Sequence, residues 1–417
     1  MAFQQGLSGL NAAARHLDTI GHNVANASTV GFKASRAEFA DVYATTVYGV
    51  SNVSPGIGTE VAAIAQQFSQ GALTTTNNSL DLGINGGGFF RMSDNGGAIT
   101  YTREGQFKLD KSGYIVNASG KRLTGYPVDK NGVVTNGTAQ DLKLDSTDIA
   151  PKATTSAAVR VNVDARATTP ANAFTLTDAK TYDGGTSVSV FDSLGREHVM
   201  AMYFRKTGDN SWEVHGTLDG EPLKGGAAVG KLAFNPNGTL KGASDGDGDP
   251  TTSNAMTFDV SLNMGADAGG NQTISVNFAD TTQFGTNFTV AHQEQNGNGS
   301  GKLAGFSVGR DGSLMARYTN GQTVSKGRVA LANFTNPQGL QPLGGNQWGE
   351  TADSGAPLGG APSTGTLGVI QSGALESSNV DLTQELVNMI TAQRVYQANA
   401  QTVRTHDQLL QTIVNLR

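Results

Sequence analysis

Both ends of this 417-residue chain repeat apolar residues at heptad spacing, and no proline interrupts either end. The eleven prolines all lie between Pro55 and Pro362. Proline removes a helical N–H donor and clashes with the preceding turn, so only the two ends are free to form long helices. At the start, Phe3, Leu7, Leu10, Ala14, Leu17, Gly21 and Val24 recur at alternating steps of four and three, with Ile20 beside the stripe. At the end, Leu382, Leu386, Met389, Gln393, Tyr396, Ala400, Val403, Asp407 and Leu410 keep the same rhythm, and Ile413 and Leu416 extend it. Such spacing places one residue per half-heptad on a single helical seam. Asp381 or Thr383 is placed to cap the second helix, whose roughly 35 residues would span about 50 Å. The first stops in GHNVANASTVGFK (Gly21 to Lys33), where Asn and Ser side chains compete for backbone hydrogen bonds and Gly31 can take the positive φ of a turn.

Between the ends the period changes to two. FFRMSDNGGAITYTREGQFKLDKSGYIVN (Phe89 to Asn117) alternates apolar and polar residues and carries turn signals at Asn95-Gly96, Glu104-Gly105 and Ser112-Gly113. Gly305 to Phe334 repeats that grammar, with turns at Asp311-Gly312 and Asn320-Gly321. A third β-rich region includes SVSVFDSLGREHVMAMYF (Ser187 to Phe204). It lies between Thr/Ala-rich and Gly/Asn-rich stretches, around 152–170 and 282–301, which read as boundaries. The fold expected is mixed and mainly β, with nested antiparallel β domains and paired long terminal helices. Residues 1–30 and 370–417 form the helical part, and 31–71 with 355–369 an extended linker. Residues 72–147 and 284–354 form an inner β domain, and 148–283 an inserted outer one. Nesting returns both heptad stripes to one end of the molecule. Helices of this length without a third layer leave apolar surface bare on a monomer, so neighbouring copies are the expected cover.

Composition excludes several classes. Only 15% of residues are charged, the net charge is −6, and no Lys/Arg block is present, so nucleic acid is not an expected partner. No basic n-region with an apolar core opens the chain, and no apolar run approaches the ~18 residues of a membrane span. The absence of Cys excludes disulfides, thiolate catalysis and Cys-ligated zinc. Six scattered His and the lack of H-E-x-x-H, G-x-S-x-G or P-loop patterns give no catalytic constellation and no expected cofactor. Asp245-Gly246-Asp247-Gly248-Asp249 resembles the start of a calcium loop. It has Pro250 at the sixth place and Met256 at the twelfth, and reads as a solvated turn. Gln393 and Arg394 on the last helix, like Tyr396, fit the lining of a pore or a subunit contact, and Arg394 equally fits a solvated face.

The segment SGLNAAARHLDTIGHNVANASTVGFKASR (Ser8 to Arg36) resembles the N-terminal signature of the bacterial flagellar rod, hook and hook-associated family. ESSNVDLTQELVNMITAQRVYQANAQTVRTHDQLLQTIVNLR (Glu376 to Arg417) resembles its C-terminal signature. Asn23, Asn26, Thr29, Gly31 and Phe32 match the pattern, and His22 stands where the family often has Asn. GFFRM, FDSLGREH and ANFTNPQGLQPLGGNQW are similar to the hook branch, and distal rod proteins are the alternative within the family. From another class, a secreted β-rich adhesin would lack paired terminal heptads. The resemblance implies a non-enzymatic subunit that assembles with itself into a curved flexible tube passing torque from rod to filament. It also implies export without a cleaved signal, and contacts with rod, hook cap, hook–filament junction and export apparatus. On that reading the subunit interface is expected at Leu7, Leu10, Leu17, Ile20, Val24, Leu382, Leu386, Met389, Tyr396, Val403 and Leu410.

Overall fold

The computed structural model describes residues 2–415 apart from 43–55, 95, 130–133, 136, 145, 146, 253 and 269. It contains two long helices, α1 (Ala2–Ala25) and α2 (Leu382–Asn415), at opposite ends of an otherwise β chain. Leu416 lies outside the described residues, as does Asn95 of the first turn signal, and so does the side chain of Ile413. The chain divides into two compact units, residues 1–146, 305–317 and 323–417, and residues 147–304 with 318–322.

In the first unit, alternation along one strand builds two cores. Phe90 and Met92 of the strand Phe89–Ser93 enter a cluster with Leu82, Ile84, Leu123, Leu314 and Leu331. Phe89 points to the opposite face and joins Tyr101, Phe334, Leu340 and Trp348, as the pleat requires. Phe89–Ser93 pairs antiparallel with Ile99–Thr102 and with Arg122–Tyr126, and the sheet continues through Gln347–Gly349 on one side and Thr323–Val329 on the other. Gly113 and Gly312 take the positive φ of turns at 83° and 77°, as does Gly321 of the second unit at 80°. Glu104-Gly105 makes no hairpin. Leu82 donates its N–H to the Gly105 carbonyl, and a Cβ at 105 would collide with the Leu82 backbone, so this glycine serves a close crossing of two chains.

The inner domain also draws on segments expected elsewhere. Residues 369–376, given to the linker and helical part by sequence, form Val369–Ser372 and Ala374–Glu376, which pair antiparallel with Leu82–Asn85 and Leu73–Thr75. The stretch after α1 is not an extended linker either. Strands β1 (Ser35–Val42) and β2 (Gly58–Gln66) pair antiparallel, and the Phe39 ring lies 5.8 Å from His16 of α1.

The second unit holds two sheets on one core, centred on Val161, Val190, Phe204, Trp212, Val214 and Phe278. One sheet runs Gly184–Phe191, Glu197–Gly208, Ser211–Leu218, Gly230–Phe234 and Leu240–Asp245, all antiparallel. The other is built around Ser156–Asp164. That strand pairs parallel with Asn271–Asn277 and Thr282–Phe284 and antiparallel with Thr289–Gln295. Hence both biased stretches carry strands of this sheet, Ser156–Asp164 at its centre and Thr282–Phe284 and Thr289–Gln295 beside it, rather than marking boundaries. The ladder to Thr289–Gln295 draws residues 284–304 into the inserted unit and away from the inner domain that sequence assigned them to.

The FDSLGREH segment is the tight turn of the first sheet. Asp192 is fully buried; its carboxylate accepts from the N–H groups of Leu194 and Arg196 and from Arg196 Nε at 2.6 Å. Burial alone would raise its pKa, but the Arg196 side-chain and backbone hydrogen bonds outweigh burial and hold it at about 2 against an ordinary 3.8. A carboxylate depressed on folding contributes stability that is present above its unfolded pKa and lost as pH falls through its folded one. We therefore expect the melting temperature of this unit to fall between about pH 4 and about pH 2. An Asp192→Asn variant, compared in the same scanning-calorimetry series, should have a flatter acid limb; equal slopes would contradict the assignment.

Candidate functional site: the terminal helices and their junction

Asp381 caps α2, its Oδ1 accepting from the N–H groups of Thr383 and Gln384 at 2.9 and 3.1 Å, which decides the two candidates in its favour. The two helices run antiparallel and meet through small residues. A Cβ added at Gly6 would lie 3.0 Å from Val403 Cγ2, and one at Gly9 would lie 2.9 Å from Asn399 Nδ2. Ala12, Ala13 and Ala392 are buried near the same seam, beside a cleft lined also by His16, Phe39 and Val395. Gly9→Leu should force the helices apart, an overpacking worth roughly 1–3 kcal/mol. Its expected mark is lower helix content by circular dichroism with the β-domain melting unchanged.

Several of the large apolar residues turn the other way. Of the expected interface set, only Ile20 is buried, at 2%. Leu10, Leu17, Val24, Met389 and Val403 are half-buried, whereas Leu7, Leu382, Leu386, Tyr396 and Leu410 are exposed, between 36% and 56%. Phe3 is exposed too. Val387, Ile390, Val395 and Leu409 are exposed as well, and the strict three–four rhythm passed over them. A straight helix drifts about 20° per heptad against that rhythm, so a wider stripe would have found them. Gln393 and Arg394 are exposed.

Beneath the helices, the Gly21 to Lys33 stretch forms a junction. Asn23 is buried, donates to the Ser35 carbonyl and accepts from its N–H, both at 2.8 Å, tying α1 to the start of β1. Asn26 Nδ2 donates to the His22 carbonyl, and Thr29 Oγ1 to Asn26 Oδ1. Gly31 takes φ 69°, and a Cβ there would lie 2.6 Å from the Glu104 nitrogen. Phe32 is buried, with the exposed His22 ring 5.4 Å away. Asn379, just before α2, accepts from the Ala34 N–H and donates to the Gln67 carbonyl.

At the centre sits an ion cluster that sequence reasoning missed. Glu376 is completely buried. Its Oε1 accepts from Lys33 Nζ at 2.6 Å and from the Gly71 N–H at 2.9 Å, and its Oε2 from Arg103 Nη1 at 2.9 Å. Lys33 and Arg103 are 1% and 5% exposed, and they donate further to the Ser69 and Gly86 carbonyls. Burial pushes both cations toward lower pKa, and the Glu376 carboxylate opposes that shift. Lys33 and Glu376 are 343 positions apart, so no local spacing rule pairs them.

The other chemistry is slight. Asp245 Oδ1 accepts from the Gly248 N–H, and Asp249 Oδ1 from the Thr251 N–H and hydroxyl, so two of the three loop carboxylates fold onto their own backbone. Among the described residues, no group of three or more acidic or His side chains is placed to hold a metal, and no helix is long and apolar enough to cross a membrane.

Four sequence families match along the chain. They are described as flagella basal body rod protein (residues 3–33), flagellar hook protein FlgE/F/G D1 domain (83–169), flagellar basal body protein FlaE D2 domain (162–298) and flagellar basal body rod FlgEFG protein C-terminal (371–416). The flagellar hook protein FlgE of Escherichia coli (strain K12) is 42% identical over 423 residues, covering all of both chains. That of Salmonella typhimurium is 41% identical over the full length of both, and that of Rhizobium meliloti 35% identical over 99% of this chain and 98% of its own. A crystal structure of Helicobacter pylori flagellar hook protein FlgE2 shares the fold at a TM-score of 0.55 and 13% identity, covering 73% of this chain and all of that one. With its whole length aligned to these relatives, the chain belongs to the flagellar hook protein family.

Proposed function

We propose that the chain is the building block of a flagellar hook, a curved and flexible homopolymeric tube that transmits torque from rod to filament. One observation carries this reading: α2 bears a continuous apolar face, Leu382, Leu386, Val387 and Ile390 among it, that is exposed among the described residues. Apolar surface of that extent on a soluble subunit calls for cover by copies of itself. The full-length match to hook proteins argues against the shorter distal rod subunit, and the relatives are structural proteins rather than enzymes. The tube stands outside the cell envelope at the base of the filament, reached by export. Its ends meet rod, cap and junction proteins, and the export apparatus passes the chain outward.

Concentrating the purified protein and imaging it by negative stain tests this: curved tubes are the expected result, and dispersed monomers at every concentration would refute it. Long helices gain stability from packing rather than from propensity. Circular dichroism should therefore show helix content rising on assembly, while equal content in monomer and tube would mean that the helices are fully formed beforehand.

A further inference from the structure

We propose that the Lys33–Glu376–Arg103 cluster is a rigid coupling that holds the paired helices at a fixed angle to the inner β domain, so that a turn applied to one passes to the other without slack. The proposal rests on the hook-subunit reading. Three chain segments cross the junction, residues 29–34, 67–71 and 376–380, and apart from Glu376 itself each lies outside regular helix or strand. Irregular backbone alone has soft dihedrals and would let the helices swing.

All three segments are fastened to one carboxylate. Lys33 belongs to the first, Gly71 to the second and Glu376 to the third, while Arg103 brings in the inner β domain immediately after the strand Ile99–Thr102. Apolar contact is non-directional and tolerates sliding. Charge-assisted hydrogen bonds are short and angular, and a buried carboxylate that leaves its cations is strongly penalised. Ions are not needed here for stability as such, since well-packed apolar replacements of a buried ion cluster are often as stable. What they supply uniquely is orientation. Arg103 carries an additional sign of this constraint: its Nε is buried with no hydrogen-bond partner, so the guanidinium is aimed by Glu376 and the Gly86 carbonyl at the expense of its third side. The backbone leaves no play either, because Gly31 lies directly on the Arg103–Glu104 peptide and donates its N–H to the Glu376 carbonyl at 2.8 Å.

The test is a triple variant, Lys33→Met, Arg103→Met and Glu376→Gln, in the full chain. It removes every charge while Gln keeps an acceptor for the Gly71 N–H, and it leaves the exposed face of α2 untouched. Monomer calorimetry and electron cryomicroscopy of the tubes are the readouts. The expected outcome is a β-domain melting temperature close to the unaltered protein's, with loss of the single subunit twist, seen as a broadened distribution along each tube. Failure of the folded variant to close any tube also supports the coupling, because its assembly face is intact. A folded variant whose tubes keep the unaltered twist distribution overturns the coupling and leaves the hook reading standing. Absence of tubes from the unaltered protein overturns the hook reading itself. If the triple variant does not fold, Glu376→Asp takes its place: it keeps the charge but withdraws it by one methylene, and the same twist comparison decides.

Discussion

Leu386→Asp is expected to abolish tubes and motility while leaving the melting of the isolated monomer unchanged. Leu386 is 45% exposed on α2. An exposed carboxylate on a helix costs the monomer little. In an assembly that covers this face, the same substitution removes the burial of a leucine, worth roughly 1.5–3 kcal/mol. It also adds an unpaired buried charge, a cost of several kcal/mol at every subunit. Differential scanning calorimetry of the monomer separates this from a core role. A β-domain transition lowered by many degrees would mean that Leu386 packs inside its own subunit.

Glu376→Ala is expected to have the reverse signature. It leaves Lys33 and Arg103 buried with no counter-charge, a loss of about 3–5 kcal/mol for a broken buried pair. For a unit of this size, that lowers the melting temperature by about 10 °C. The transition of the inserted unit, which has its own core, should not move. Adding Lys33→Met and Arg103→Met to the Ala variant should recover much of the loss, since the uncompensated charges go with it. A fall of under about 2 °C for the single substitution would show that water reaches the site and screens it.

The architecture was legible where the signal is periodic. Both helices, the alternation of Phe89 and Phe90 onto opposite cores, and most glycine turns follow from residue spacing. What escaped did so for definable reasons. Around 152–170 the abundance of Thr and Ala suggested a boundary, yet Ala157, Val159, Val161 and Val163 alternate as a buried strand, and composition masked that period. Glu104-Gly105 looked like a turn because glycine permits turns, but its use is a close crossing, which depends on Leu82 more than twenty positions away. The heptad reading found the right helices but passed over Val387, Ile390, Val395 and Leu409. It did not foresee that a second stripe of Gly and Ala, offset on α1, would make the contact within the chain. The Glu376 cluster is set by tertiary structure alone, since its members lie at residues 33, 103 and 376.

The way the inserted unit is tied off has a consequence for how such chains can vary in length. Ile149 bridges Gly301 and Lys152 bridges Asn298, each by a pair of backbone hydrogen bonds, so the segments entering and leaving the insert are fastened to each other at its base. A segment whose two ends are already joined presents the rest of the chain with a closed loop of nearly fixed span, whatever it contains. Loop closure grows only logarithmically with length, about 0.6 kcal/mol for each doubling. Material can therefore be added or removed beyond that clasp at little thermodynamic penalty to the elements that precede and follow it. The insert is therefore where a change in chain length is expected to cost the heptads at either end least.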